Sequence, residues 1–221
     1  MVESAHHPDG PTVTASSEQD KQDTSTAQES AWVAQALEGD LVAFNAIVER
    51  YQQPAYNLAL RMLRDASLAE DVTQEAFFSA YRNLRQYRGG SLKSWLLTIV
   101  ANRSRDVLRS PSRTRTSSLD ETLEAGDSGG QWAHPDAPPD EQVMRQETAR
   151  LVRNAVDQLP DDQRLVVTLV DLQQMDYEEA ARITGASLGT VKSRLFRGRQ
   201  KLKELLRPAW ELSSEQARPS S

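Results

Sequence analysis

The sequence contains no cysteine, so it holds no disulfide, no thiolate metal site and no cysteine-based redox switch. Long apolar runs are missing too. None approaches the length that crosses a bilayer, and the first residues lack the apolar core of a signal peptide, so a cytoplasmic protein is expected. A nucleophile beside a base, a grouping of metal ligands and a phosphate-cradling glycine loop are equally absent. These gaps argue against an enzyme and predict no catalytic residue, no metal and no cofactor. His6 and His7 are the one hint of a metal site, and two adjacent histidines in a polar tail do not make a ligand set.

What the chain does have is unevenly distributed charge. The formal net charge of 221 residues is −6, which by itself suits no nucleic-acid partner. Yet six Lys/Arg stand against one acidic residue between Ser91 and Leu119, and eight against one between Arg182 and Arg207. Two basic segments therefore sit in an otherwise acidic chain. Segregation of this kind, more than net charge, is the electrostatic footprint of a nucleic-acid binder.

The second basic segment lies in DYEEAARITGASLGTVKSRLFRGRQKLKELL, Asp176 to Leu206, which reads as two helices and a tight turn. Asp176 and Glu179 have capping-box spacing, so the first helix starts there and runs to about Thr184. Gly185 supplies the positive φ of a sharp helix exit. Ser187 caps a second helix whose apolar period runs through Val191, Leu195, Leu202 and Leu206. Ala181, Gly185 and Val191 let the two helices approach, turn and lock, which predicts a helix-turn-helix. Lys192, Ser193, Phe196 and Arg197 share the other face of the second helix, and a basic polar face there is what the major groove accepts. Arg194 and Arg199 are assigned to phosphates, which position without specifying.

The rest of the chain reads as helices too. Residues 1–29, rich in Ser, Thr, Gln, Asp and Pro, are expected to be a disordered tail. From Trp32 to Tyr51 apolar residues recur at three and four around a Gly39–Asp40 break, and Pro54 is expected to start the next helix. Ser67 with Glu70 forms a second capping box ahead of Val72, Ala76, Ala80 and Leu84. A fourth helix from Leu92 carries the stripe Trp95, Leu96, Ile99 and Val100 to Ser110–Pro111, with Trp95 read as a core residue. Residues 111–139 are a linker by composition. A long helix follows from Asp140, and after Leu159–Pro160 the pair Asp161 and Asp162 suits the positive end of another. The expected fold is all-α: two small helical domains, 30–110 and 140–208, joined by a flexible linker and followed by a polar tail, 209–221.

The run SLGTVKSRLFRGRQKL resembles the recognition helix of bacterial RNA polymerase sigma factors of the extracytoplasmic-function (ECF) group, in the sigma-70 family. LPDDQRLVVTLVDLQQMDYEEAARI resembles the opening helices of the same domain. GDLVAFNAIVERYQ, AEDVTQEAFFSAYRNL and YRGGSLKSWLLTIVANRSRD resemble the group's N-terminal folded domain, in the same order along the chain. The resemblance covers residues 32–110 and 140–207. It implies an alternative sigma factor that binds core RNA polymerase and directs promoter recognition, DNA melting and initiation, the transferase activity belonging to the polymerase. By the same resemblance Asp71, Gln74 and Glu75 face the clamp helices of the largest subunit, and the C-terminal domain meets the flap. Asn102, Arg103 and Lys93 read the −10 element, where an extruded base is held in a pocket while cations hold the phosphates. Lys192, Ser193, Phe196 and Arg197 read the −35 element. Lys192 stands where relatives frequently have arginine and gives a point charge in place of a bidentate fork. YRGGSLKSWL is one residue shorter than the common FRGxSxFxTWL, so the base-capturing loop differs. An anti-sigma factor is a further implied partner. On the residues alone two other readings stay open: a dimeric helix-turn-helix regulator acting apart from the polymerase, and a DNA-acting enzyme with an appended helix-turn-helix.

Overall fold

In the computed structural model the backbone is described for residues 14–110 and 139–216, and side chains for 25–110 and 147–208. The linker 111–139 thus lies almost wholly outside the described residues, as do the first residues of the expected tail. Every element in the described residues is helical. They divide into two units, one up to Val48 and one from Glu49.

Helix α1 spans Thr14–Leu37, so the backbone is already helical inside the stretch expected to be a disordered tail. No glycine or proline interrupts residues 14–38, and nothing local stops the turn. Val33 and Ala36 are buried. Gly39, at φ +100, makes the break read from the sequence, and the Asp40 carboxylate accepts from the Val42 N–H at 2.8 Å to open α2, Leu41–Leu63. Pro54 was expected to start a helix. Instead it lies inside α2. A proline there forfeits one backbone hydrogen bond, a loss the flanking apolar run Tyr51, Ala55, Leu58 and Ala59, all buried, offsets.

In the second unit, α3 spans Ala66–Arg82, and its cap is Asp65, which accepts from the Leu68 N–H at 2.9 Å; Ser67 already lies inside the helix. Its buried stripe contains Val72, Ala76 and Ala80, as the four-residue spacing predicts, and packs on α4, Leu92–Arg109. Ser91 caps α4. On α4 the core side holds Leu92, Leu96, Leu97, Val100 and Ala101, whereas Trp95 and Ile99 are half-buried. Trp95 rests on Tyr87, the ring centres 5.5 Å apart.

Helix α5 spans Pro139–Asp157; Ala155 and Val156 in its last turn are buried, as is Leu159 just beyond it. Helix α6, Asp161–Val167, opens with Asp161 and Asp162 in its first turn and widens into a π-helical turn, Thr168–Leu172. Arg164 is buried to 2% exposure, unforeseen for a charged residue. Three acceptors satisfy it: the carbonyls of Arg61, at 2.6 Å, and Leu159, at 3.0 Å, and the Asp161 carboxylate, at 2.8 Å. Helix α7 spans Tyr177–Thr184 and α8 spans Leu188–Gln216. The backbone of α8 stays helical through Pro208, beyond the point where the tail was expected to begin.

Candidate nucleic-acid interface

Local rules build the turn between α7 and α8. Asp176 accepts from the Glu179 N–H at 2.6 Å while the Glu179 carboxylate accepts from the Asp176 N–H, a reciprocal capping box. Gly185 takes the left-handed conformation, φ +66, and its N–H reaches the Ala181 carbonyl. Ser187 then caps α8 by accepting from the Thr190 N–H at 3.2 Å. Ala180, Ile183, Val191 and Leu195 are buried and join the two helices. Gly198 is also buried: a Cβ there would stand 2.8 Å from the Val167 side chain, so its hydrogen is what lets α8 meet α6.

With Val191 and Leu195 turned inward, Lys192, Ser193, Phe196 and Arg197 are all exposed on the outer side of α8. Phe196 is 64% exposed, unusual for a large apolar residue and ordinary for one that meets a thymine methyl or a sugar. Arg197 lies back along the helix, its Nε donating to the Ser193 carbonyl at 3.3 Å. The Lys192 ammonium lies 5.8 Å from the ring centre of Tyr177, a neighbour that sequence reasoning passed over. The two arginines assigned to phosphates are engaged within the chain. Arg194 pairs with Asp162 on α6 at 2.9 Å, and Arg199 grips both carboxylate oxygens of Asp171. That grip raises the Arg199 pKa above its ordinary value.

The three residues assigned to the −10 element are not gathered into one cluster. Asn102 and Arg103 are exposed on α4, and Asn102 accepts from Arg105 at 2.7 Å. Lys93 is half-buried and donates to the Gln173 carbonyl at 2.6 Å. Burial lowers its pKa, an effect that Glu179 opposes. Arg105, outside the three residues assigned to the −10 element, donates to the Ile183 carbonyl at 2.6 Å, and burial first and the nearby Arg109 second lower its pKa.

On α3, Asp71, Gln74 and Glu75 are exposed together on one stripe. Phe78 continues that stripe at 59% exposure, with the Arg82 guanidinium 4.2 Å over its ring. Its spacing of seven from Asp71 and four from Gln74 was the available signal. Among the described residues no helix is long and apolar enough to cross a membrane, and no group of acidic or histidine side chains is placed to hold a metal.

Two family models match the chain: sigma-70 region 2 over residues 47–114, and sigma-70 region 4 over residues 149–202. The RNA polymerase sigma-H factor of Pseudomonas aeruginosa is 34% identical over 184 residues, 82% of this chain and 95% of the relative. The chain belongs to the ECF sigma factors of the sigma-70 family. The ECF RNA polymerase sigma-E factor of Escherichia coli K12 is 35% identical over 179 residues, 80% of this chain and 93% of the relative. Among solved structures, the sigma factor RpoE of Bartonella quintana, determined with the anti-sigma factor NepR, shares 27% identity and a TM-score of 0.53 over 74% of this chain and 96% of its own. CnrH, determined with the cytosolic domain of CnrY, shares the fold at a TM-score of 0.55 and 22% identity, over 82% of this sigma factor and 98% of its own chain.

Proposed function

We propose that this ECF sigma factor binds core RNA polymerase in the cytoplasm and directs it to a two-part promoter, with no catalysis of its own. The observation that carries the reading is the outer side of α8. There Lys192, Ser193, Phe196 and Arg197 stand exposed over a capped, glycine-turned helix pair, in a chain whose relatives are RNA polymerase sigma factors. Lys192, Ser193 and Arg197 offer donors to base edges and Phe196 an apolar contact, which is direct readout in the major groove of the −35 element. Arg194 and Arg199 serve phosphates once they leave Asp162 and Asp171. Asn102, Arg103 and Lys93 serve the −10 element. The stripe Asp71, Gln74 and Glu75 meets the polymerase clamp helices, with Phe78 as an apolar anchor beside it. Residues 30–110 and 140–208 form the two functional parts and 111–139 connects them, the second part reaching the flap.

An anti-sigma factor is the fitting negative regulator, since the sigma factor RpoE of Bartonella quintana was solved with one. The test is co-elution with purified bacterial core polymerase. A stable complex that Asp71→Arg with Glu75→Arg disrupts is expected, along with DNA footprints that appear only with polymerase present. A palindromic footprint formed by the chain alone, with no polymerase complex, would overturn the reading and return a dimeric regulator.

A further inference from the structure

The loop that leads into α4 runs from Tyr87 to Ser91 and contains two consecutive glycines, both at left-handed φ, +89 at Gly89 and +88 at Gly90. Left alone, such a pair samples many shapes. In this chain the loop is pinned at three points. Ahead of the glycines the Tyr87 N–H donates to the carbonyl of the buried Leu84 at 3.0 Å, and behind them Ser91 caps α4 by accepting from the Ser94 N–H at 3.1 Å. Across them the Tyr87 hydroxyl donates to the Gly90 carbonyl at 2.5 Å. The ring that carries this hydroxyl is half-buried and rests on Trp95, so it cannot swing away without giving up that contact. The common pattern FRGxSxFxTWL has phenylalanine at this position, whose ring could pack on Trp95 but could not donate. The hydroxyl is therefore a feature of this shortened loop.

The outside of the loop is open. A Cβ on either glycine would meet no atom within 4 Å, so a planar group can come up to bare main chain there. Arg88 is exposed in the loop, and Asn102 and Arg103, assigned to the −10 element, are exposed on the helix that follows. Open main chain with cations close by in the chain suits a base taken out of its stack. We propose that Tyr87 is a specificity-determining positioning residue: its hydroxyl locks the shortened loop into one shape, and that shape decides which unpaired base of the −10 element is accepted. This deepens the reading above and rests on it for the role of α4. A loop that is already ordered loses little entropy on binding and adjusts poorly to a wrong base, so the hydroxyl acts on discrimination more than on overall affinity.

The experiment uses the full chain bound to purified bacterial core polymerase. The probe is fork DNA built on a promoter found by start-site mapping, duplex through the −35 element and single-stranded on the non-template strand through the −10 element. Each of the four bases, and an abasic site, is placed in turn at every unpaired position, and binding is followed by fluorescence anisotropy at fixed salt. The parent is expected to discriminate strongly at one position. Tyr87→Phe keeps the ring on Trp95 and removes only the donor, and should reduce the preference for the best base at that position by about fivefold, the worth of one hydrogen bond. Preferences at the other positions should stay as in the parent, and with the abasic site there the two proteins should bind alike. Tyr87→Leu, which loses the ring as well, should lose more at the same position. A preference left intact in Tyr87→Phe overturns the proposal, as does a loss spread evenly over all positions or one that persists with the abasic site, since a merely structural role would give either. A parent that discriminates no unpaired base overturns the −10 reading together with the proposal, whereas a discriminating parent that Tyr87→Phe matches overturns the role of Tyr87 alone.

Discussion

Arg199 is held by Asp171 in a two-point grip, its Nε 3.1 Å from one carboxylate oxygen and its Nη2 on the other. This ties α8 to the π-helical turn and points a cation assigned to phosphate at a carboxylate instead. Asp171→Asn weakens that grip. The pair is partly solvent-accessible and screened on the arginine side, so the expected loss of stability is small, about 0.5 kcal/mol. DNA affinity should rise, and its salt slope should steepen by about one as Arg199 becomes available. An unchanged slope would show that Arg199 never reaches a phosphate.

Gln174 carries a φ of +55 immediately after the π-helical turn. Glycine adopts that conformation without a Cβ penalty, so Gln174→Gly should stabilise the fold by about 0.5–1 kcal/mol, raising Tm by a few degrees. Thermal unfolding followed by circular dichroism decides it, and a lowered Tm would mean that the glutamine side chain supplies more than the strain costs.

Gly198 tests the packing of α8 on α6. Alanine gains about 1 kcal/mol in helix propensity, but its Cβ at 2.8 Å from a Val167 methyl forces a shift in a buried, branched side chain. We expect Gly198→Ala to destabilise by about 1 kcal/mol net. Adding Val167→Ala should turn the alanine at 198 from harmful to helpful, a coupling that a double-mutant cycle in urea measures. Additive effects would contradict the tight approach.

Lys93 gives a pH dependence of known sign. Burial holds its pKa below the ordinary lysine value, so just under that value the unfolded chain keeps the proton more firmly than the folded one. Stability contributed at this site therefore rises with pH through that window. Comparing urea midpoints at about pH 8 and about pH 10, the parent should gain relative to Lys93→Met as pH rises. A relative loss would mean the ammonium is better stabilised folded than free.

Features set by neighbours along the chain were legible in the sequence. Asp176, Glu179, Gly185 and Ser187 act as their spacing predicts, and the outer side of α8 follows once Val191 and Leu195 turn inward. Features set by distant partners were not. Pro54 fails to break α2, and Asp65 caps α3 ahead of Ser67. The π-helical turn leaves no period in the sequence. Leu97 is buried where Trp95 and Ile99 were expected, because a stripe of period 3.6 does not say which edge the next helix covers. Lys93 looked like a free cation because the carbonyl that holds it lies 80 residues away in sequence.

The most direct measurement is start-site mapping by run-off transcription on a genomic DNA library with purified core polymerase. New starts are expected only when the chain is added, sharing two upstream motifs, and they should vanish with Lys192→Ala plus Arg197→Ala while the polymerase complex still forms. Starts that do not depend on the chain, or that keep the same −35 motif in the double variant, would contradict promoter reading by the outer face of α8.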